Sequence, residues 1–276
     1  RISRPTMRNP SPRLWPYTPS NSPVALPETH LFYASSGLSE LSAPSADPAV
    51  RHLAGTDLQA YCSSFSNSKG TVDELLAAEK APPMSQRRPF LLLGELANPY
   101  RLQDISMGPL PIYTVRLTGL CRTYADGLDP RDTYPGVHHI TLARSPGWWE
   151  KTHMTMATVE QMKAMVAWLD NGKSNTWRPV KPAEGSLHFE FESIEVPAHE
   201  EIEWDGENEV VERPAPNFSG PEVSLSTVMV PIHTRHGCYD NRGRLARAAH
   251  LPQRQFHEGM FRRGSSMKWN DVLEIV

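Results

Sequence analysis

The stretch Ile112-Tyr113-Thr114-Val115-Arg116-Leu117-Thr118 decides the fold. Tyr113, Val115 and Leu117 alternate with Thr114, Arg116 and Thr118, a period of two that predicts a half-buried strand. Val137 to Ala143 repeats the pattern, with His138, Ile140 and Leu142 on one face. The Asp, Gly and Pro residues between Ala125 and Gly136 read as a loop, so the two strands are expected to pair antiparallel.

Working outward, Thr158 and Gln161 read as a capping box ahead of Val159, Met162, Met165, Val166 and Leu169. This apolar stripe at helical spacing is closed by Asn171-Gly172. Leu187, Phe189 and Phe191 alternate with His188, Glu190 and Glu192, while Ile194 and Val196 fall on the opposite parity, which predicts a strand bulged near Ser193. Val223 to Val230 gives a further strand. Together these predict an α+β core over residues 111–231: a small antiparallel or mixed sheet with one packed helix.

The flanks read differently. Over residues 71–110, Thr71 and Glu74 form another capping box, Val72, Leu75 and Leu76 continue a short helix that Pro82-Pro83 stops, and a strap leads through Phe90 to Leu93 into the core. Nine prolines and nine serines fill the first 48 residues. Such a stretch lacks backbone donors and periodic apolar residues, so residues 1–70 are expected to form an irregular arm held by partner surface, with Arg4, Arg8, Arg13 and Trp15 as its contacts. Residues 232–276 read as a basic extension with a short helix around Arg242 to His250.

Charge is unevenly placed. The net charge of -3 excludes a chain that coats nucleic acid with its whole surface. Glu184 to Glu212 holds eleven Asp and Glu and no Lys or Arg, whereas residues 231–276 carry eight Lys and Arg against four acids. Cys62, Cys121 and Cys238 are too few and too scattered for a disulfide framework, so free thiols in a reducing compartment are expected. No apolar run approaches the length that spans a bilayer, which predicts a soluble or peripheral chain without a transmembrane segment. Four arginines precede the first acid, Glu28, as in a chain trimmed from a basic import sequence, and this points to the mitochondrial matrix.

His233, His236 and Cys238 are the densest group of metal-ligand types, and imidazole with thiolate suits zinc. A fourth ligand has to come from Cys121, His139 or His250, and paired cysteine spacing is absent, so no metal or other cofactor is expected. His138, His139 and His153 with Glu150 do not compose an acid–base site, because alternation puts His138 and His139 on opposite faces. Phosphate-cradling glycine loops, nucleophile elbows and zinc-protease helix pairs are missing, and no catalytic residue is assigned. Arg235, Arg242, Arg244, Arg247, Arg254, Arg262 and Arg263, interleaved with His250, Phe256, His257, Phe261 and Trp269, suit RNA phosphates and unpaired bases, or equally a protein interface.

The string His139-Ile-Thr-Leu-Ala-Arg-Ser-Pro-Gly-Trp-Trp-Glu-Lys151 resembles the opening of mitochondrial members of the large-subunit ribosomal protein thirty family. That resemblance implies an RNA-binding α+β domain in which the strand is followed by a helix, a second strand and a second helix. It also implies a non-catalytic structural subunit of a large mitochondrial ribonucleoprotein, first of all the mitochondrial ribosome. Such a subunit binds several neighbouring proteins through its arms and rRNA through its tail, and takes no small-molecule substrate. Two other readings stand beside it: an accessory subunit of a respiratory or ATP synthase complex, and a metal-dependent enzyme built on His233, His236 and Cys238.

Overall fold

A computed structural model describes residues 2–3, 26–45, 51–129, 137–172, 176–234, 236–239, 244–256, 265–267 and 273–276. Along the chain run β1 (Leu31–Ala34), β2 (Gly37–Glu40), α1 (Gly55–Ser63), α2 (Val72–Ala78), β3 (Arg88–Leu92), α3 (Pro99–Asp104), β4 (Leu110–Asp129), β5 (Val137–Ala157) and α4 (Val159–Asp170). They are followed by β6 (Trp177–Val180), β7 (Ser186–His188), β8 (Ile202–Trp204), β9 (Glu209–Val211), β10 (Glu222–Ser224) and β11 (Val230–His233).

The ribbon of β4 and β5 is the axis of the molecule. Its antiparallel register runs from Tyr113↔Met154 to Asp129↔Val137, and β3 pairs the far side of β5. β1 joins the start of β4 through Leu31↔Ile112, β7 joins its middle through Leu117↔Leu187, and β10 extends the sheet beyond β7. The protein is thus an α+β fold on a multi-stranded antiparallel sheet, as the alternation in Ile112 to Thr118 requires. The sheet is larger than the expected small one, and α1 to α3 join α4 in covering it.

Both faces of the ribbon are buried at its first half. Tyr113, Val115 and Leu117 pack with Leu58 and Cys62 of α1 and Leu75 and Leu76 of α2. Leu110 and Ile112 turn the other way and meet Leu31, Tyr33, Phe90, Leu92, Leu102 and, from α4, Met165 and Leu169. Even Arg116, on the nominally polar parity, is buried, its guanidinium donating to Glu190 Oε1 at 3.1 Å and Pro216 O at 2.7 Å.

α4 begins at its capping box, Gln161 N–H donating to Thr158 Oγ1 and Thr158 N–H to Gln161 Oε1, and ends at Asn171 in the left-handed conformation (φ 47°). The box of Thr71 and Glu74 starts α2 in the same way. Leu187 does sit in a strand, but β7 stops at His188. Phe189 N–H donates to Pro221 O and Phe191 N–H to Ser219 Oγ, so the expected bulge near Ser193 is replaced by an irregular exit. The strand expected over Val223 to Val230 is divided by the turn Leu225–Thr227, where the Ser224 hydroxyl accepts from Ser226 N–H.

The expected arm over residues 1–70 is corrected where it is described. Phe32, Leu41, Leu53, Leu58 and Phe65 are buried in the first core cluster, and Ile2–Ser3 pairs with β2. His30 Nδ1 accepts from Thr114 N–H at 3.0 Å, His153 Nε2 donates to Pro27 O at 2.7 Å, and Lys151 pairs with Glu28. Short apolar pieces too sparse to show periodicity are buried because the sheet offers them an edge and two faces. Arg4, Arg8, Arg13 and Trp15 lie outside the described residues.

The basic extension is corrected likewise. The segment 244–256 is stitched along the far end of the ribbon: Thr123 Oγ1 donates to Ala246 O, Ala248 N–H to Arg122 O and Tyr124 Oη to Leu251 O. Phe256 stacks on Tyr124 with centroids 4.5 Å apart, and Gln253 bonds both backbone groups of His138. The chain end returns too, Val276 N–H donating to Lys181 O. The helix expected around Arg242 to His250 is a turn at its described end, with a single helical turn at Gln253–Gln255. No helix among the described residues is long and apolar enough to cross a membrane.

Candidate functional site

The registers on either side of a mid-ribbon bulge create the site. Thr118 to Leu120 on β4 faces Trp149 to Arg144 on β5, so residues 145–148 loop out of β5. Pro146 cannot donate to the ladder, and Gly147 adopts φ +75°, a conformation costly for any residue with a Cβ. The bulge delivers Trp148 and Trp149, both fully buried, to two neighbouring features.

Trp148 packs behind two residues, Arg247 and His250, of a cleft of about 400 Å³ whose walls also include His199, Glu209, Arg244 and Leu245. The His250 ring stands edge-on to Trp148 at 5.2 Å, and the Arg247 guanidinium lies 5.0 Å from the indole centroid. Arg247 Nη1 donates to Glu209 Oε2 at 3.3 Å and Nη2 to Ser145 Oγ at 3.1 Å. Leu245 N–H donates to the same Glu209 oxygen. His250 Nε2 lies 2.6 Å from Pro197 O and therefore carries the proton, and the exposed His199 stands edge-on to His250 at 5.6 Å.

Trp149 braces the second feature, an acidic ridge. Its indole N–H donates to Glu195 O at 2.6 Å, and the Arg213 guanidinium lies 5.2 Å from its ring. β8 and β9 form a separate two-stranded hairpin with Trp204↔Glu209 in register. Asp205 Oδ1 closes its turn by accepting from Glu207 and Asn208 N–H, and those two bonds hold the Asp205 carboxyl below its ordinary range. Glu201 pairs with Arg213, which, after the Ala198 N–H bond, keeps its pKa low as well. Trp204 is 55% exposed and Val210 42%, whereas the described large apolar side chains of the β4–β5 ribbon are buried. Glu203, Asp205 and Glu207 have no basic side chain at ion-pair distance among the described residues.

The residues singled out from sequence are scattered. Arg247 is buried in an internal ion pair and is withdrawn as an RNA contact; Arg244 is exposed at the cleft. Arg235, Arg242, Arg262 and Arg263 lie outside the described residues, as does the Arg254 side chain. His233 is buried in β11 with its ring 5.0 Å from Trp177, which also meets His139 at 5.7 Å. The side chains of His236 and Cys238 are not described. No group of three or more His, Cys, Asp or Glu among the described residues is placed to hold a metal. Cys62 and Cys121 are buried free thiols, and burial pushes the Cys62 thiol well up.

The stretch His139 to Lys151 lies within one continuous strand, β5, which runs on to Ala157 and is followed directly by α4. Its polar residues are used internally: Arg144 pairs with Glu184, Arg122 Nε donates to buried Glu150 at 3.1 Å, and Lys151 pairs with Glu28. Sequence reasoning missed His199, Glu209 and Ser145. The signal that was present is the opposite charge of the belt at Glu184 to Glu212 and the basic end of the same chain. Comparison with protein-family models, with curated proteins and with solved structures finds no match to the chain.

Proposed function

We propose that the chain is a non-catalytic structural subunit of a large mitochondrial ribonucleoprotein in the matrix, with the mitochondrial ribosome as the assembly the His139 to Lys151 resemblance favours. Its docking element is the acidic hairpin of β8 and β9, and the neighbour it meets is a basic protein. The observation that carries this reading is Trp204, more than half exposed on a hairpin whose tip acids Glu203, Asp205 and Glu207 have no cation at ion-pair distance among the described residues. An aromatic anchor ringed by unneutralised charge is the composition of a protein-binding patch. A two-stranded hairpin is marginal alone, yet Arg213, Trp149 and the Glu212 N–H to Glu201 O bond hold it outward.

The test is co-sedimentation of the purified chain with mitochondrial ribosomal subunits in a sucrose gradient at graded salt. The chain is expected to travel with one subunit, and Trp204→Ala combined with Glu203→Lys and Glu207→Lys to leave it at the top of the gradient without loss of fold. A parent chain that never sediments, or that migrates with a respiratory complex on a native gel, overturns the reading.

A further inference from the structure

We propose, resting on the β8–β9 hairpin as the docking element, that Trp204 and the acids beside it select an arginine side chain of the partner protein. The guanidinium packs on the indole while its N–H groups meet hairpin carboxylates.

The molecule builds this arrangement repeatedly from its own residues. The Arg247 guanidinium lies 5.0 Å from the Trp148 centroid, with Nη1 3.3 Å from Glu209. That of Arg213 lies 5.2 Å from Trp149, with Nε 2.8 Å from Glu201. Arg101 lies 4.8 Å from Trp168 and pairs with Glu95 at 3.2 Å, and Arg116 lies 4.5 Å from Phe218 and pairs with Glu190 at 3.1 Å. Each guanidinium is shared between an aromatic ring and a carboxylate, two contacts that a planar, weakly hydrated cation makes at once. No described lysine takes such a place.

Trp204 has the ring and the carboxylates without the cation. Among the described tryptophans it alone meets neither a cation nor another ring. Residues 198–212 hold seven acids and no Lys or Arg. Glu201 and Glu209 are paired internally, whereas Glu203, Asp205 and Glu207, all exposed, stand within three residues of Trp204. Trp204 is also in register with Glu209, which Arg247 ties to the body of the protein, so the ring sits on a strand end that is already fixed and little freedom is lost on binding. An ammonium holds its water more tightly and gains less from the indole, so arginine is favoured over lysine. Nucleic acid is repelled by the same acids.

Titration of the full chain with short glycine–serine peptides carrying three arginines, three lysines or three citrullines tests this, with calorimetry for affinity and NMR for the Trp204 indole. The arginine peptide is expected to bind with Kd on the order of 1 mM or tighter and to shift that indole signal. The lysine peptide is expected to bind at least about threefold more weakly, and the uncharged citrulline peptide not to bind. Trp204→Leu, at an exposed position, is expected to abolish the preference for arginine over lysine, and Glu203→Gln with Glu207→Gln to weaken both. Lysine binding as tight as arginine, an unmoved Trp204 signal, a preference that survives Trp204→Leu, or no binding of any peptide at about 10 mM overturns the arginine site. Those outcomes in a chain that still sediments with a ribosomal subunit leave the docking reading standing. Selective arginine binding by a chain that never sediments keeps the site and removes the assembly.

Discussion

Arg247 Nη1 lies 3.3 Å from Glu209 Oε2, an ion pair across 38 residues that ties the basic end of the chain to its acidic belt. Both side chains are largely withdrawn from water, so neither charge can regain solvation if the other is removed. Glu209→Ala is therefore expected to cost about 3–5 kcal/mol, whereas Glu209→Leu with Arg247→Met is expected to recover most of it. Urea unfolding of the two variants checks this. A single substitution no costlier than the double one contradicts the arrangement.

Gln161 does more than cap its helix. Its Oε1 accepts from Thr158 N–H and from Nη1 of buried Arg87, and its Nε2 donates to Gly108 O and Pro109 O. Burial already lowers the Arg87 pKa to about 10, which makes its remaining partners matter. Thr158→Ala removes one capping bond and is expected to cost about 1 kcal/mol. Gln161→Ala leaves several buried groups unpaired and is expected to cost about 2–4 kcal/mol, measured as a shift of the urea midpoint.

Two neutral imidazoles hold residues 26–34 to the sheet. Burial lowers the pKa of both His30 and His153 from 6.5 to about 4; for His153 the Arg122 and Lys151 charges act in the same direction. His30 Nδ1 must be unprotonated to accept from Thr114 N–H. Because both folded pKa values are depressed, the stabilisation is complete above pH 6.5 and is lost as pH falls toward 4. Glu28, kept below the ordinary carboxylate range by its bond to Lys151, adds to the loss only at lower pH. Unfolding free energy is expected to be level near neutrality and to drop across that window, and His30→Asn to flatten the drop. An unchanged profile in the variant excludes the His30 contribution.

The parts of the fold legible in the sequence are those set by local rules. Alternation at Tyr113, Val115 and Leu117 and the capping boxes at Thr71 and Thr158 need only neighbouring residues, and they appear as read. What escaped is set by distant partners. Phe32, Leu41 and Phe65 stand in Pro- and Ser-rich sequence with no period of their own, and only the two faces of β4 explain their burial. Arg247 carries the same sign as an RNA-binding arginine, and nothing next to it in the chain reveals Glu209. The cleft was invisible for the same reason, since its walls come from residues 199, 209 and 244–255. Trp148 packs against its wall residues Arg247 and His250 from a stretch, residues 145–148, that leaves the ladder.

Two glycines separate steric from torsional demands on this geometry. A Cβ on Gly220 meets Phe189 O at 1.8 Å, a backbone atom that cannot step aside without parting the chain beyond β7 from that before β10. Gly220→Ala is expected to cost at least about 3 kcal/mol or to prevent folding. Gly147, at φ +75°, has nothing within 4 Å of the added carbon, so Gly147→Ala carries only backbone strain of about 1–2 kcal/mol. The strain falls on the bulge that delivers Trp148, so the variant is expected to fold, with a lowered urea midpoint and an altered Trp148 indole signal. Equal losses at the two positions, or a Gly147→Ala chain with that signal unmoved, show that the packing of Trp148 on Arg247 and His250 does not depend on the bulge.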